Sequence, residues 1–302
     1  LLAQIEKNHR IAQSGEAYQA QDNAEGESIK WWDREDHVNF DVCADDHCQR
    51  YQGITRQSTK KVEDAIEATF GEVVCHAGEL CDARFSKSCG GVYEQFENCW
   101  EPKHFDYLVA KRDAANENDF PDLTKESNAE EWILTTPKAY CNTRDGKILS
   151  QVLNNYDQET TDFYRWTVEY SQEEIAALIR NRSGIDYGRI YNLEPVARGT
   201  SGRLYKLKIV GEKLTQVIGK ELHIRRTLSP SHLYSSAFVV ERHEVDADGF
   251  PKKFVLRGAG WGHGVGLCQI GAAVMGEQGF DYKQILLHYF IGASIDKYYP
   301  KN

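Results

Sequence analysis

Three stretches of this chain carry side chains able to do chemistry. In the first, "HVNFDVCADDHC", His37, Cys43, His47 and Cys48 bring two imidazoles and two thiols together at the spacing H-x5-C-x3-H-C. Thiolate sulfur and imidazole nitrogen are the preferred ligands of tetrahedral Zn²⁺, and four protein ligands close its sphere, which makes such an ion structural. The spacing is not that of a zinc finger, and a Cys43–Cys48 disulfide fits the same residues. On the residues alone, both readings stay open.

The second stretch, "SKSCGGVYEQFENCWE", offers a turn at Ser88, Gly90 and Gly91 whose backbone N–H groups can approach a ligand. Glu94, Glu97 and Glu101 follow as possible acids, and a surface turn with solvated carboxylates is the plainer reading of all three. The third, "RGAGWGHGVGLCQIGA", crowds glycines around Trp261, His263 and Gln269. Such density weakens helix and strand alike, so something local must require it. A backbone this bare can approach a ligand closely, with Trp261 stacking on a sugar face and His263 and Gln269 hydrogen bonding. The alternative is a structural hairpin with Trp261 in the core. A phosphate loop is excluded, because the stretch has no lysine and no βαβ setting.

The elements that must position these stretches are mixed. Residues 1–13 read as an amphipathic helix already under way at Leu1. "STKKVEDAIEATFG" reads as a helix capped by Ser58 or Thr59 and stopped by Gly71. "EVVCHAGELCDARFS" reads as a hairpin turning at "HAGE". From 98 to 171 the chain is polar and irregular, with short helices expected at 129–135 and 145–154. Ser171 and Glu174 then form a capping box for a helix whose Ile175, Leu178 and Ile179 face a core. "RLYKLKIVGEKLTQVIGKELHIRRTL" reads as two strands joined at "GEK", and "SAFVVERHEVDADGFPKKFVLRG" as a hairpin turning at "DADGF". The end is helical, through "GAAVMGEQG" and "DYKQILLHYF". Without a βαβ rhythm, the pattern gives an α+β fold of helices and mainly antiparallel hairpins.

With 302 residues, 41% hydrophobic and 27% charged, the chain has the make-up of a globular protein with a full core. A net charge of −10 argues against nucleic acid or an anionic membrane as the main partner, and no apolar run is long enough to span a membrane. Eight cysteines fit an oxidising compartment or a metal site better than a reduced cytosol. The remaining cysteines offer the pairings Cys75–Cys81, across the hairpin, and Cys89–Cys99, although connectivity does not follow from sequence.

Taken in order, these blocks resemble the SpoIID/LytB family of bacterial sporulation stage II protein D and amidase enhancers. "GAGWGHGVGLCQIGAAVMGEQGFDYKQILLHYFIGASI" is similar to its C-terminal signature, with Cys268 for the usual serine and Phe290 for the usual second tyrosine. "SGRLYKLKIVG", "IRRTLS" and "FSKSCGG" resemble further blocks in the expected order. The likeness covers most of the chain except about residues 100–155, which read as an insertion.

The resemblance implies a glycan-binding cleft and an extracytoplasmic place in the bacterial envelope. It also implies lytic transglycosylation of peptide-free peptidoglycan strands, cutting between N-acetylmuramic acid and N-acetylglucosamine to leave a 1,6-anhydro end. One carboxylic acid suffices for that reaction, protonating the glycosidic oxygen and then assisting attack by the muramic O6 hydroxyl. The other branch implies a non-catalytic module that binds glycan and enhances a cell-wall amidase. Zinc on the His37, Cys43, His47 and Cys48 cluster is implied as well. The family's catalytic glutamate is expected upstream of Leu1, so the catalytic residue is unassigned and neither Glu6 nor Glu94 is promoted to the role. On this view Ser88, Gly90, Gly91, Trp261, His263 and Gln269 shape the wall that holds the glycan.

Overall fold

The computed structural model describes residues 59–115, 119–152 and 160–298, with short stretches before them that include 24–30 and Cys43. The expected N-terminal helix lies mostly outside the described residues, as do His37, His47 and Cys48.

Helices and mainly antiparallel strands form an α+β fold. Strands β1 (Gln21–Asp22), β2 (Glu27–Lys30), β9 (Thr215–Gly219), β8 (Leu204–Gly211) and β7 (Ile190–Arg198) lie side by side in that order, parallel only between β2 and β9. A second sheet runs β10 (Phe238–Val245), β11 (Pro251–Ala259), β6 (Arg165–Ser171), antiparallel throughout. Between these sheets and the helix Gln172–Ser183 lies a core that includes Trp166, Ile175, Ile179, Leu207, Phe238 and Phe254. The capping box fixes that helix's start: Ser171 Oγ accepts from Glu174 N, and the Glu174 carboxylate accepts from Ser171 N. Gly184, left-handed, ends it.

A third sheet joins β13 (Ser294–Lys297), β3 (Glu72–His76) and β4 (Glu79–Leu80). The β3–β4 turn places Ala77 and Gly78 at positive φ, the conformation a two-residue hairpin favours. Thr59 caps the helix Lys60–Ala68 as the sequence suggests. One stretch departs from expectation. "KELHIRRT" continues no strand but forms the helix Glu221–Thr227. Its apparent alternation hides buried positions at Glu221, Ile224, Arg225 and Leu228, the spacing of a helix face.

The polar segment at about 100–155 forms helices at Glu126–Leu134 and Gly146–Val152, close to the expected positions. It is woven into the interior, with Leu108, Leu123, Trp132, Cys141 and Leu149 all buried. Two arginines fasten it. Arg165 donates to the carbonyls of Thr135, Trp132 and Gly90. Arg198, buried, grips Glu126 bidentately at 2.6 and 2.7 Å and also bonds the carbonyls of Gly202 and Phe238.

Replacing Arg198 by alanine abandons two carbonyls and the Glu126 pair at once. A loss of about 3 kcal/mol in urea unfolding is expected, with earlier proteolysis between residues 100 and 155. A loss below about 0.5 kcal/mol would show that the grip contributes nothing.

Candidate functional site

The second and third chemical stretches are laced together by the fold. Strand β5 (Phe85–Ser86) runs parallel to β12 (Leu267–Cys268). Ser88 and Trp261 exchange backbone hydrogen bonds of 3.1 and 2.8 Å, and Glu94 N donates to Gly264 O at 2.9 Å. The glycine loop thus folds over the Ser88–Glu94 segment, and the object between them is a side chain of the protein itself, Arg203.

Arg203 is 2% exposed. Its Nε donates to Gly262 O at 3.0 Å, its Nη1 to Cys89 O and Ser201 Oγ at 3.0 Å, and its Nη2 to Ser88 O at 3.4 Å. A Cβ on Gly264 would fall 2.5 Å from the Arg203 Cζ, and one on Gly260 would fall 2.7 Å from Ser88 O and 2.8 Å from Arg203 Nη2. Both glycines also hold positive φ. The loop is bare at these points because a guanidinium occupies the space a side chain would take.

Ser201 relays the network onward, its hydroxyl donating to Glu94 Oε2 at 2.6 Å. Glu94 is fully buried, so the solvated carboxylate expected at this position is not found. Its Oε1 accepts from Gln95 N, Asn98 Nδ2, Thr200 N and Thr200 Oγ1, and its Oε2 from Ser201 N and Oγ. Six donors leave no open side from which a general acid could reach a substrate. Glu97 accepts from His104 Nδ1 at 2.9 Å, and Glu101 is half-buried.

The other expected contact residues divide between wall and surface. Ser88, Gly90 and Gly91 are buried, with Gly90 O receiving Trp132 Nε1 and Arg165 Nη1. His263 keeps some exposed surface, but its ring is committed. Nδ1 accepts from Val265 N at 3.0 Å, the Phe85 backbone bonds it too, and Trp100 packs edge-on at 4.6 Å. Burial pushes its pKa well below the ordinary histidine value, helped by Arg84, Arg225 and Arg203, so the ring is neutral. Trp261 is half-buried between Tyr234 and Phe163, at 4.4 and 4.8 Å, with Lys87 Nζ 4.7 Å from its ring. Arg84 sits 4.2 Å over Trp100 on the other flank of the loop. Gln269, half-buried, begins the helix that follows. Trp261, Tyr234 and Lys87 thus form a partly exposed strip beside the loop, and Trp100 and Arg84, also half-buried, pack together next to His263.

The cysteines are arranged otherwise than their spacing suggests. Cys89 lies not against Cys99 but 3.5 Å from Cys141, while Cys99 Sγ approaches His263 O at 3.6 Å. Cys75 and Cys81 are buried thiols. Cys89, Cys141, Cys268 and Asp113 form one buried group whose ligand atoms all lie within 4.8 Å of one another. Burial, with the Cys141 thiol, pushes Asp113 up to about 6. Nothing in the spacing of these four residues foretells their meeting. Arg203, Thr200 and Ser201, also unforeseen as partners of the loop, sit in a "GTSGR" turn that repeats its small-residue character. Of the zinc set expected near the N-terminus, Cys43 is half-buried and the others fall outside the described residues.

Residues 11–76 match the family described as Stage II sporulation protein, and residues 94–266 match the family described as Domain of unknown function (DUF8618). The Amidase enhancer of Bacillus subtilis (strain 168) is 24% identical over 246 residues, covering 78% of this chain and 32% of that protein. An uncharacterized protein of Brachyspira hyodysenteriae (strain ATCC 49526 / WA1) is 25% identical over 259 residues, covering 86% of this chain and 55% of its own length. The chain thus spans less than two thirds of either curated relative.

Two left-handed glycines separate backbone strain from crowding. Gly184→Ala meets nothing within 4 Å, so it costs only the conformational penalty of about 1 kcal/mol. Gly264→Ala adds the collision with Arg203, for a total of about 3 kcal/mol or more. Equal losses in paired urea titrations would contradict the clamp. His263 supplies a pH signature. Its folded pKa is depressed, so its contribution is whole above about pH 6.5 and is lost as the unfolded chain takes up the proton below it. Stability falls by up to about 1.4 kcal/mol per pH unit, and His263→Gln flattens that slope. An unchanged slope in urea midpoints between about pH 7.5 and 5.5 would place the ring in water.

Proposed function

The chain belongs to the SpoIID/LytB family, its residues 94–266 to the family described as Domain of unknown function (DUF8618), and on that premise we propose that it acts on peptidoglycan in the bacterial cell envelope, outside the cytoplasm. The strip beside the glycine loop is its glycan contact. Aromatic faces and edges suit the C–H surfaces of sugar rings, and Lys87 puts positive charge there on a chain of net charge −10, while Arg84 is paired bidentately with Asp82 at 2.8 and 2.9 Å. A peptide-free strand carries the free lactyl carboxylate of muramic acid, which such a cation attracts. Trp261 makes contact with Gln269 beside it, while Ser88, Gly90, Gly91 and His263 build the wall behind.

Two activities fit this place. The first is that of a glycan-binding module that enhances a cell-wall amidase, supported by the name of the Bacillus relative; Glu94, wholly committed to internal hydrogen bonds, supplies an acid to neither activity. The second is lytic transglycosylation between N-acetylmuramic acid and N-acetylglucosamine, favoured by the match to the Stage II sporulation family. That reaction needs a carboxylic acid other than Glu94 to protonate the glycosidic oxygen. Zinc on His37, Cys43, His47 and Cys48 belongs to the same reading, as a structural ion.

The test incubates the full chain with peptide-free strands and follows binding, released 1,6-anhydromuramic ends, and stimulation of a wall amidase. Binding and stimulation without anhydro ends supports the enhancer; anhydro ends support the transglycosylase. Lys87→Glu is expected to lower affinity for the strands about tenfold or more, roughly 1.4 kcal/mol, yet leave affinity for an uncharged N-acetylglucosamine polymer unchanged. No binding to either polymer by the folded chain would overturn the proposal.

A further inference from the structure

Away from the exposed strip, four side chains from three separate parts of the sequence converge in the interior. Cys89 comes from the turn after β5, Asp113 and Cys141 from the segment at 100–155, and Cys268 from the end of the glycine loop. We propose that Cys89, Asp113, Cys141 and Cys268 form a second metal site, for a tetrahedral zinc ion held by three sulfurs and one carboxylate oxygen.

The distances are those such an ion needs. Zn–S bonds of about 2.3 Å set tetrahedral S···S edges of about 3.8 Å. Here Cys89 Sγ lies 3.5 Å from Cys141 Sγ and 3.3 Å from Asp113 Oδ2, and no pair of ligand atoms exceeds 4.8 Å. The surroundings orient the ligands as outer-shell groups do at metal centres. Tyr289 Oη donates to Asp113 Oδ1 at 3.0 Å, leaving Oδ2 turned toward the sulfurs, and Cys141 N steadies that oxygen at 3.2 Å. Backbone N–H groups point at two of the sulfurs, Cys89 N at Cys268 Sγ (3.3 Å) and Gly91 N at Cys89 Sγ (3.4 Å). Gly271 leaves the room: a Cβ there would fall 2.4 Å from Tyr289 Oη and 2.7 Å from Asp113 Oδ2.

Three thiols and a carboxyl group are costly to bury together without partners; His288 Nε2, 3.6 Å from Asp113 Oδ1, faces the same carboxylate oxygen as Tyr289 and leaves Oδ2 to the sulfurs. A disulfide would use only two of the three sulfurs. Four protein ligands fill the tetrahedron, so the ion is structural. It ties the 100–155 segment and the glycine loop to the Cys89 turn.

The experiment measures zinc by mass spectrometry in the full chain carrying His37→Ala and Cys48→Ala, which removes the N-terminal cluster from the count. About one zinc per chain is expected, and adding Cys268→Ser abolishes it. Exchange with Co²⁺ alone should give thiolate-to-cobalt charge-transfer absorption, absent once Cys268→Ser is added. If that last variant fails to fold, the cobalt spectrum of its parent decides. Asp113→Asn, which keeps the shape, should release zinc to a chelator at least tenfold more readily. A folded parent that binds neither zinc nor cobalt would overturn the site. So would an unreduced mass lighter by two hydrogens that maps to a Cys89–Cys141 bond.

Discussion

Arg203 and Glu94 place a guanidinium and a carboxylate in the protein interior, joined through the Ser201 hydroxyl, and the chain around them is arranged so that neither lacks partners. Burying two charges is costly unless every lone pair and proton is met. Meeting them takes carbonyls from Ser88, Cys89 and Gly262 on one side, and the amides of Gln95, Thr200 and Ser201 on the other. Those groups come from three stretches far apart in sequence. The network therefore sets the crossing of the glycine loop with the Ser88–Glu94 segment, and the crossing sets everything built on it.

Among the consequences is a division of labour within the loop. Its inner side packs on the protein's own groups, Arg203 at Gly260 and Gly264, Ser86 at Gly262 and the Arg84 carbonyl at Gly266, so these glycines are answered without a ligand. Its outer side carries Trp261, flanked by Tyr234 and Lys87. The proposed glycan contact needs that outer side only, and the inner network supplies the rigidity. His263 stands between the two: its neutral ring fastens the loop to Phe85 and Val265 while its residue reaches the surface.

What could be read from the sequence was local. The Ser171–Glu174 capping box, the Ala77–Gly78 turn and the hairpins at "GEK" and "DADGF" all depend on residues a few positions apart. Where two periods compete over seven residues, as at Glu221–Thr227, alternation suggested a strand and tertiary burial chose a helix. The three chemical stretches were visible as stretches, but the partners that give them meaning were not. Glu94 looked solvated because nothing near it in sequence could hold it; Thr200 and Ser201, more than a hundred residues later, do. The sequence offers Cys99 as a partner for Cys89, and the fold brings it Cys141 and Cys268 instead.

The central claim is that the glycine loop is bare at Gly264 because Arg203 fills the space there, and a double-mutant cycle between Gly264→Ala and Arg203→Met tests this most directly. Methionine ends about where the guanidinium begins, so it removes the atoms that the new Cβ would strike. The account predicts that Gly264→Ala costs less in the Arg203→Met background than in the native one, with a coupling energy of about 2 kcal/mol. Strictly additive losses would contradict it and return the bare loop to some other cause.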